Sequence, residues 1–101
     1  MARSNTNTEN LIFQRALKMA RLARGLTQRE LSLRGGCGVS NVSQHESGYR
    51  GSMHEAAFLN YAEALELAPH QLLEFATCES EEEAMVLNAE MPPITSDEDA
   101  A

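Results

Sequence analysis

Ser40, Asn41, Ser43, Gln44 and Ser47 crowd one face of a short segment whose other face carries Val42 and His45, three residues apart. That spacing predicts a helix, and its polar face is made of hydroxyls and amides, short and uncharged. Such groups both donate and accept hydrogen bonds, so they suit the reading of a donor and acceptor pattern on a partner. Covalent chemistry has no comparable signal. The chain holds no Gly-rich phosphate loop and no Cys, His and acid set that its helices would bring together, so no catalytic residue is expected. Cys37, Cys78, His45, His54 and His70 include no pair at ligand spacing, so neither a metal nor a cofactor is expected.

The polar face needs a scaffold, and the residues just before it provide one. Thr27 and Glu30 form a Thr-x-x-Glu capping box, which starts a helix with Leu31 on its inner side. Gly35, Gly36 and Gly38 stop that helix, and a second begins at about Val39. Two short helices at a steep angle, joined by a tight glycine turn, lay the second in a DNA major groove. An alternative register is open: with Gly38-Val39-Ser40 as the turn, the first helix runs on, Val39 enters the core and the second helix starts at Asn41.

The stretch from Thr27 to Gly48 resembles the helix-turn-helix of the phage repressor and Cro (XRE-like) family. Leu26, Thr27, Gln28, Glu30, Leu31, Gly36, Val42, Ser43, Glu46 and Gly48 stand at the matching places without a gap, and with the flanking helices the resemblance runs from about Leu11 to Phe75. It implies an all-α, five-helix repressor-type DNA-binding bundle with a helix-turn-helix, here followed by a short acidic C-terminal extension. It also implies a structural ion pair between Arg21 and Glu46. Three residues depart from the family pattern. Gly35 replaces a usual Leu or Val, Cys37 a usual aliphatic, and His45 a usual Leu or Ile, where a partly buried core histidine is expected.

Around this unit, residues 1–8 are polar and read as a flexible N-terminus, with Thr6 and Glu9 capping a first helix that faces Phe13, Leu17 and Ala20 inward. Ser52 and Glu55 offer another box for a helix from Met53, with Phe58, Tyr61, Ala62 and Leu65 as its inner stripe. Pro69 opens a last short helix that buries Leu72, Leu73 and Phe75. Residues 9–76 are thus the expected DNA-binding domain and 77–101 the extension, in which Ser80 and Glu83 cap a short helix over 81–90 and residues 92–101 read as disordered. There are no internal repeats.

Charge divides the chain. The net value of −7 hides eight basic and three acidic residues in 1–50, a balance of +5, against twelve acids and no Lys or Arg in 51–101, a balance of −12. A basic half suits phosphate, whereas an acidic protein is a poor non-specific binder of nucleic acid at long range; specific binding is open to it if the two charges face different ways. By position, Val39, Ser40, Ser43 and Gln44 are the candidates for base edges, Gln44 foremost because an amide can bond bidentately to adenine. Gln28, Asn41, Ser47, Tyr49 and Arg50 are placed for phosphates.

These residues lead to the expectation of a sequence-specific transcriptional regulator of double-stranded DNA, a repressor that binds a two-fold operator as a homodimer. Leu72 or Leu73, Phe75, Ala84, Met85 and Leu87 are the apolar groups left over for the dimer contact. An alternative is an antitoxin-like protein whose acidic C-terminal segment binds a partner protein, and a third, lower in rank, is an interaction module that does not touch DNA. No disulfide framework and no apolar run long enough for a signal peptide or membrane span point to the cytoplasm.

Overall fold

The computed structural model describes residues 2–47 and 54–94, those up to residue 10 as backbone alone. Among the described residues all regular structure is helical: α1 Ala2–Ala23, α2 Gln28–Gly35, α3 Val39–Ser47, α4 Glu55–Ala64, α5 Pro69–Glu74, a 3-10 turn Phe75–Thr77 and α6 Glu81–Asn88. The middle and end of α1 form the hub, touching α3, α4, α5, the 3-10 turn and α6. Small residues make that crowding feasible. Ala16 and Ala20 are fully buried beside Leu17, while Phe13 stacks on Phe58 with ring centroids 4.5 Å apart. Leu17, Leu31, Val42, Leu65, Leu72 and Phe75 fill the core, each worth about 1.5–3 kcal/mol when fully withdrawn from water.

The helix ends have local causes. Thr27 Oγ1 accepts the Glu30 N–H at 3.0 Å while the Glu30 carboxylate accepts the Thr27 N–H at 2.8 Å, so the capping box of α2 is complete. The helix stops at Gly36, whose φ of +69° is a conformation that a side chain disfavours. Gly35 stays helical. Its carbonyl accepts Asn60 Nδ2 at 2.9 Å, so α4 supplies a polar group where the family pattern has an aliphatic one.

Two helix starts differ from the sequence-based expectation. Helix α1 begins at Ala2 and passes straight through Thr6, because no Gly or Pro interrupts it before Gly25. The helix expected from Met53 begins instead at Glu55 behind His54, which makes no side-chain cap; Ser52 lies outside the described residues.

The C-terminal extension is part of the bundle. Ser80 Oγ accepts the Glu83 N–H at 3.2 Å, starting α6, which ends at Asn88. Ala84 is fully buried, and Leu87, Met91 and Ile94 pack against the core. Asn88 Nδ2 donates to the Ala23 carbonyl at 3.4 Å and Arg24 Nη2 to the Pro92 carbonyl at 2.7 Å. The chain is therefore fastened as far as Ile94, not free from residue 92 onward; Asp97, Glu98 and Asp99 lie outside the described residues. Core packing also removes Leu72, Phe75 and Ala84 from the groups left over for a dimer contact, since all three are fully buried within one chain.

Candidate nucleic-acid interface

The site is assembled around one carboxylate. Glu46, near the end of α3, accepts Arg21 Nε at 2.5 Å and Nη2 at 3.0 Å, and it also accepts Gln28 Nε2 at 3.0 Å. Arg21 Nη1 donates to the Leu26 carbonyl at 2.8 Å. One buried cluster thus ties α1, the α1–α2 connection, the first residue of α2 and the end of α3 together. The expected pair is present, and with side-chain exposures of 9% and 4% it is shielded from water.

Helix α3 is seated by Val42, which is fully buried, and by His45. The His45 ring meets Tyr61 edge-on, with Nδ1 2.7 Å from the phenol oxygen. Burial holds the imidazole below its ordinary value, and nearby His54 acts in the same direction. The Tyr61 phenol is pushed up by burial first, then by Cys37 and Glu46, so it keeps its proton, and the tautomer of the ring sets which of the two donates. His45 is the partly buried core histidine expected, with a polar partner that the sequence did not reveal. The available clue is general: a buried Tyr needs a partner for its hydroxyl.

With Val42 and His45 turned inward, the outer face of α3 carries Ser40, Asn41, Ser43 and Ser47 exposed and Gln44 half-buried. Val39 is the first residue of α3 and 45% exposed, so the register that would put it in the core is not the one adopted. Among the phosphate candidates, Gln28 uses one amide hydrogen on Glu46, which leaves the second available to a ligand. Ser47 Oγ donates to the Gln44 carbonyl at 3.3 Å. Tyr49 and Arg50 lie outside the described residues.

The remaining cations are held in different ways. Arg34 Nη1 is 3.4 Å from the Glu66 carboxylate, and Arg24, held below its ordinary value chiefly by burial, reaches the Pro92 carbonyl. Arg15 and Lys18 line an open cleft with Glu46, Cys78 and Glu79. Among the described residues no group of three or more His, Cys, Asp or Glu could hold a metal, and no helix is long and apolar enough to cross a membrane.

Comparison with known proteins agrees with this geometry. A family model described as helix-turn-helix matches residues 17–69, more than half of the 101 residues. Neither a curated protein nor a solved structure matches the chain.

Proposed function

The chain belongs to the helix-turn-helix family, of XRE, Cro and C1 type, and from that premise we propose that it represses transcription by binding a two-fold operator as a homodimer. Membership makes it a DNA-binding transcriptional regulator; the operator geometry and the sign of regulation are our inference. The observation that carries it is the outer face of α3. Ser40, Asn41, Ser43 and Gln44 present uncharged hydrogen-bonding side chains on a helix whose inner face is locked by Val42, His45 and the Glu46 cluster. Rigid presentation of such groups is what base-edge reading needs, with Val39, Ser40, Ser43 and Gln44 in the groove and Gln28, Asn41, Ser47, Tyr49 and Arg50 toward phosphates.

Repression requires only occupancy, because a helix lodged in the groove covers the duplex beneath it. The dimer follows from reach: one recognition helix spans a few base pairs, and two copies on one face of DNA place half-sites about 10 bp apart or a multiple of that. Of the groups expected there, Leu87 packs against the core while Leu73 and Met85, 41% and 61% exposed, remain for the contact, and Val86 at 70% joins them. The same Met85 and Val86, set among Glu81, Glu82 and Glu90, favour a second reading in which the C-terminal segment binds a partner protein, as in an antitoxin.

Selection of bound duplexes from random DNA tests the proposal. The expected result is an inverted repeat, and enrichment of a lone half-site would argue against the dimer. On the selected site Gln44→Ala should cost ~1–3 kcal/mol and blur one position of the preference. Uniform weakening across a mismatch panel would remove Gln44 from the base readers. A stoichiometric protein partner on purification from the native host would favour the second reading.

A further inference from the structure

We propose that Arg29 is a phosphate-contacting residue of the DNA interface, supplying the positive charge that the recognition helix lacks; the proposal rests on the DNA-binding reading above. The exposed face of α3 holds Val39, Ser40, Asn41, Ser43 and Ser47, with no cation among them. A duplex carries one negative charge per ~1.7 Å of its axis, and contacts to phosphates set the register in which base edges are read. Apart from Arg50, already assigned to phosphates, the positive charge has to come from a neighbouring element.

Three of the six cations whose side chains are described are engaged. Arg21 is enclosed by Glu46 and the Leu26 carbonyl, Arg24 donates to Pro92, and Arg34 pairs with Glu66. Arg15 and Lys18 are exposed, but they belong to α1 and line a cleft there with Cys78 and Glu79, outside the α2–α3 unit. Arg29 is exposed and makes no side-chain hydrogen bond or ion pair among the described residues. The acid beside it, Glu30, is engaged at the cap through the Thr27 N–H.

Its placement is as telling as its freedom. Gln28, the preceding residue, donates to Glu46, which fastens the first turn of α2 against α3. Leu31 and Ser32 mark the buried face of α2, at 0% and 4% exposure, and Arg34 on one flank reaches Glu66 beyond the end of α4. At about 100° per residue, Arg29 falls on the opposite flank with Leu33, which is 70% exposed. Helix α3 rests its back on α4 through His45 and Tyr61. The flank of α2 that carries Arg29 and the outer face of α3 therefore both turn away from α4, toward one ligand.

The test is the salt dependence of binding to the site obtained by selection, with the full chain. Arg29→Gln should reduce the slope of log K against log salt by about 0.9, the value of one phosphate contact, and weaken every member of a mismatch panel alike. Arg29→Lys should restore the slope, and Lys18→Gln should leave it unchanged. Wild-type binding with an unaltered slope in Arg29→Gln would overturn this inference alone. A wild-type protein that bound no duplex would overturn the DNA-binding reading and this one with it.

Discussion

Glu46 grips Arg21 with both carboxylate oxygens across 25 residues of chain, joining the recognition helix to the first helix at a point shielded from water. Removing either partner leaves the other charge buried and uncompensated, and Glu46→Ala also strands the Gln28 amide. Arg21→Ala and Glu46→Ala should each lose roughly 3–5 kcal/mol of stability, and the double mutant should lose less than the two together. Urea unfolding of the three variants measures this. Simple additivity would show that the two residues act independently.

The His45 and Tyr61 contact gives stability a dependence on pH. The folded imidazole titrates below the ordinary value of 6.5, so the folded state favours the neutral ring. Its contribution is complete above 6.5 and is lost as pH falls through the folded value. Melting temperature should fall between pH 7.5 and 5, and part of that fall should vanish in His45→Gln. Identical pH profiles for the two proteins would mean that the ring titrates alike when folded and unfolded.

Because α6 and the segment after it complete the core, the C-terminal extension should not be removable without a thermodynamic penalty. Truncation after Thr77 deletes Cys78, Ala84, Leu87, Met91 and Ile94 from the packing. Its cost should exceed the roughly 2–5 kcal/mol of a single large-to-small core substitution. Truncation after Ile94 should change stability by less than ~0.5 kcal/mol. Equal urea midpoints for both truncated chains would show α6 to be dispensable to the fold.

Adjacent glycines at the turn should respond in opposite directions to one methyl group. Gly36→Ala forces a side chain into φ +69° and should cost ~1–2 kcal/mol. Gly35 is helical, and its new Cβ would meet Asn60 Nδ2 at 3.4 Å, an ordinary contact. Gly35→Ala should therefore gain about 0.5–1 kcal/mol from helix propensity. Thermal melts distinguish the two, and a destabilised Gly35→Ala would mean that Asn60 cannot yield.

What the sequence makes legible is what local rules govern. Thr27 and Glu30 find each other three residues apart, and Gly36 needs only its own backbone conformation, so the start and stop of α2 can be read directly. The family resemblance places Arg21 opposite Glu46. Other features depend on distant partners. Gly36 and Gly38 both satisfy a turn locally, and only the burial of Val42 beneath an exposed Val39 selects one register. Thr6 with Glu9 and Ser52 with Glu55 meet the capping pattern, yet α1 runs through the first and α4 starts behind His54. Pro92, Pro93 and the acids around them have the composition of a disordered tail. What secures the segment is Arg24, 68 residues away, which no local window contains.

The clasp of Asn88 and Arg24 across the end of α1 has a consequence for how the molecule is made. Helix α1 leaves the ribosome well before α6, and its terminal carbonyl at Ala23 gains its side-chain donor only when Asn88, 65 residues later, has been synthesised. The hub of the bundle thus exists long before it is closed. A nascent chain paused before α6 would carry a repressor-type core with one wall missing, and its final cooperative step would wait on the acidic helix that comes last.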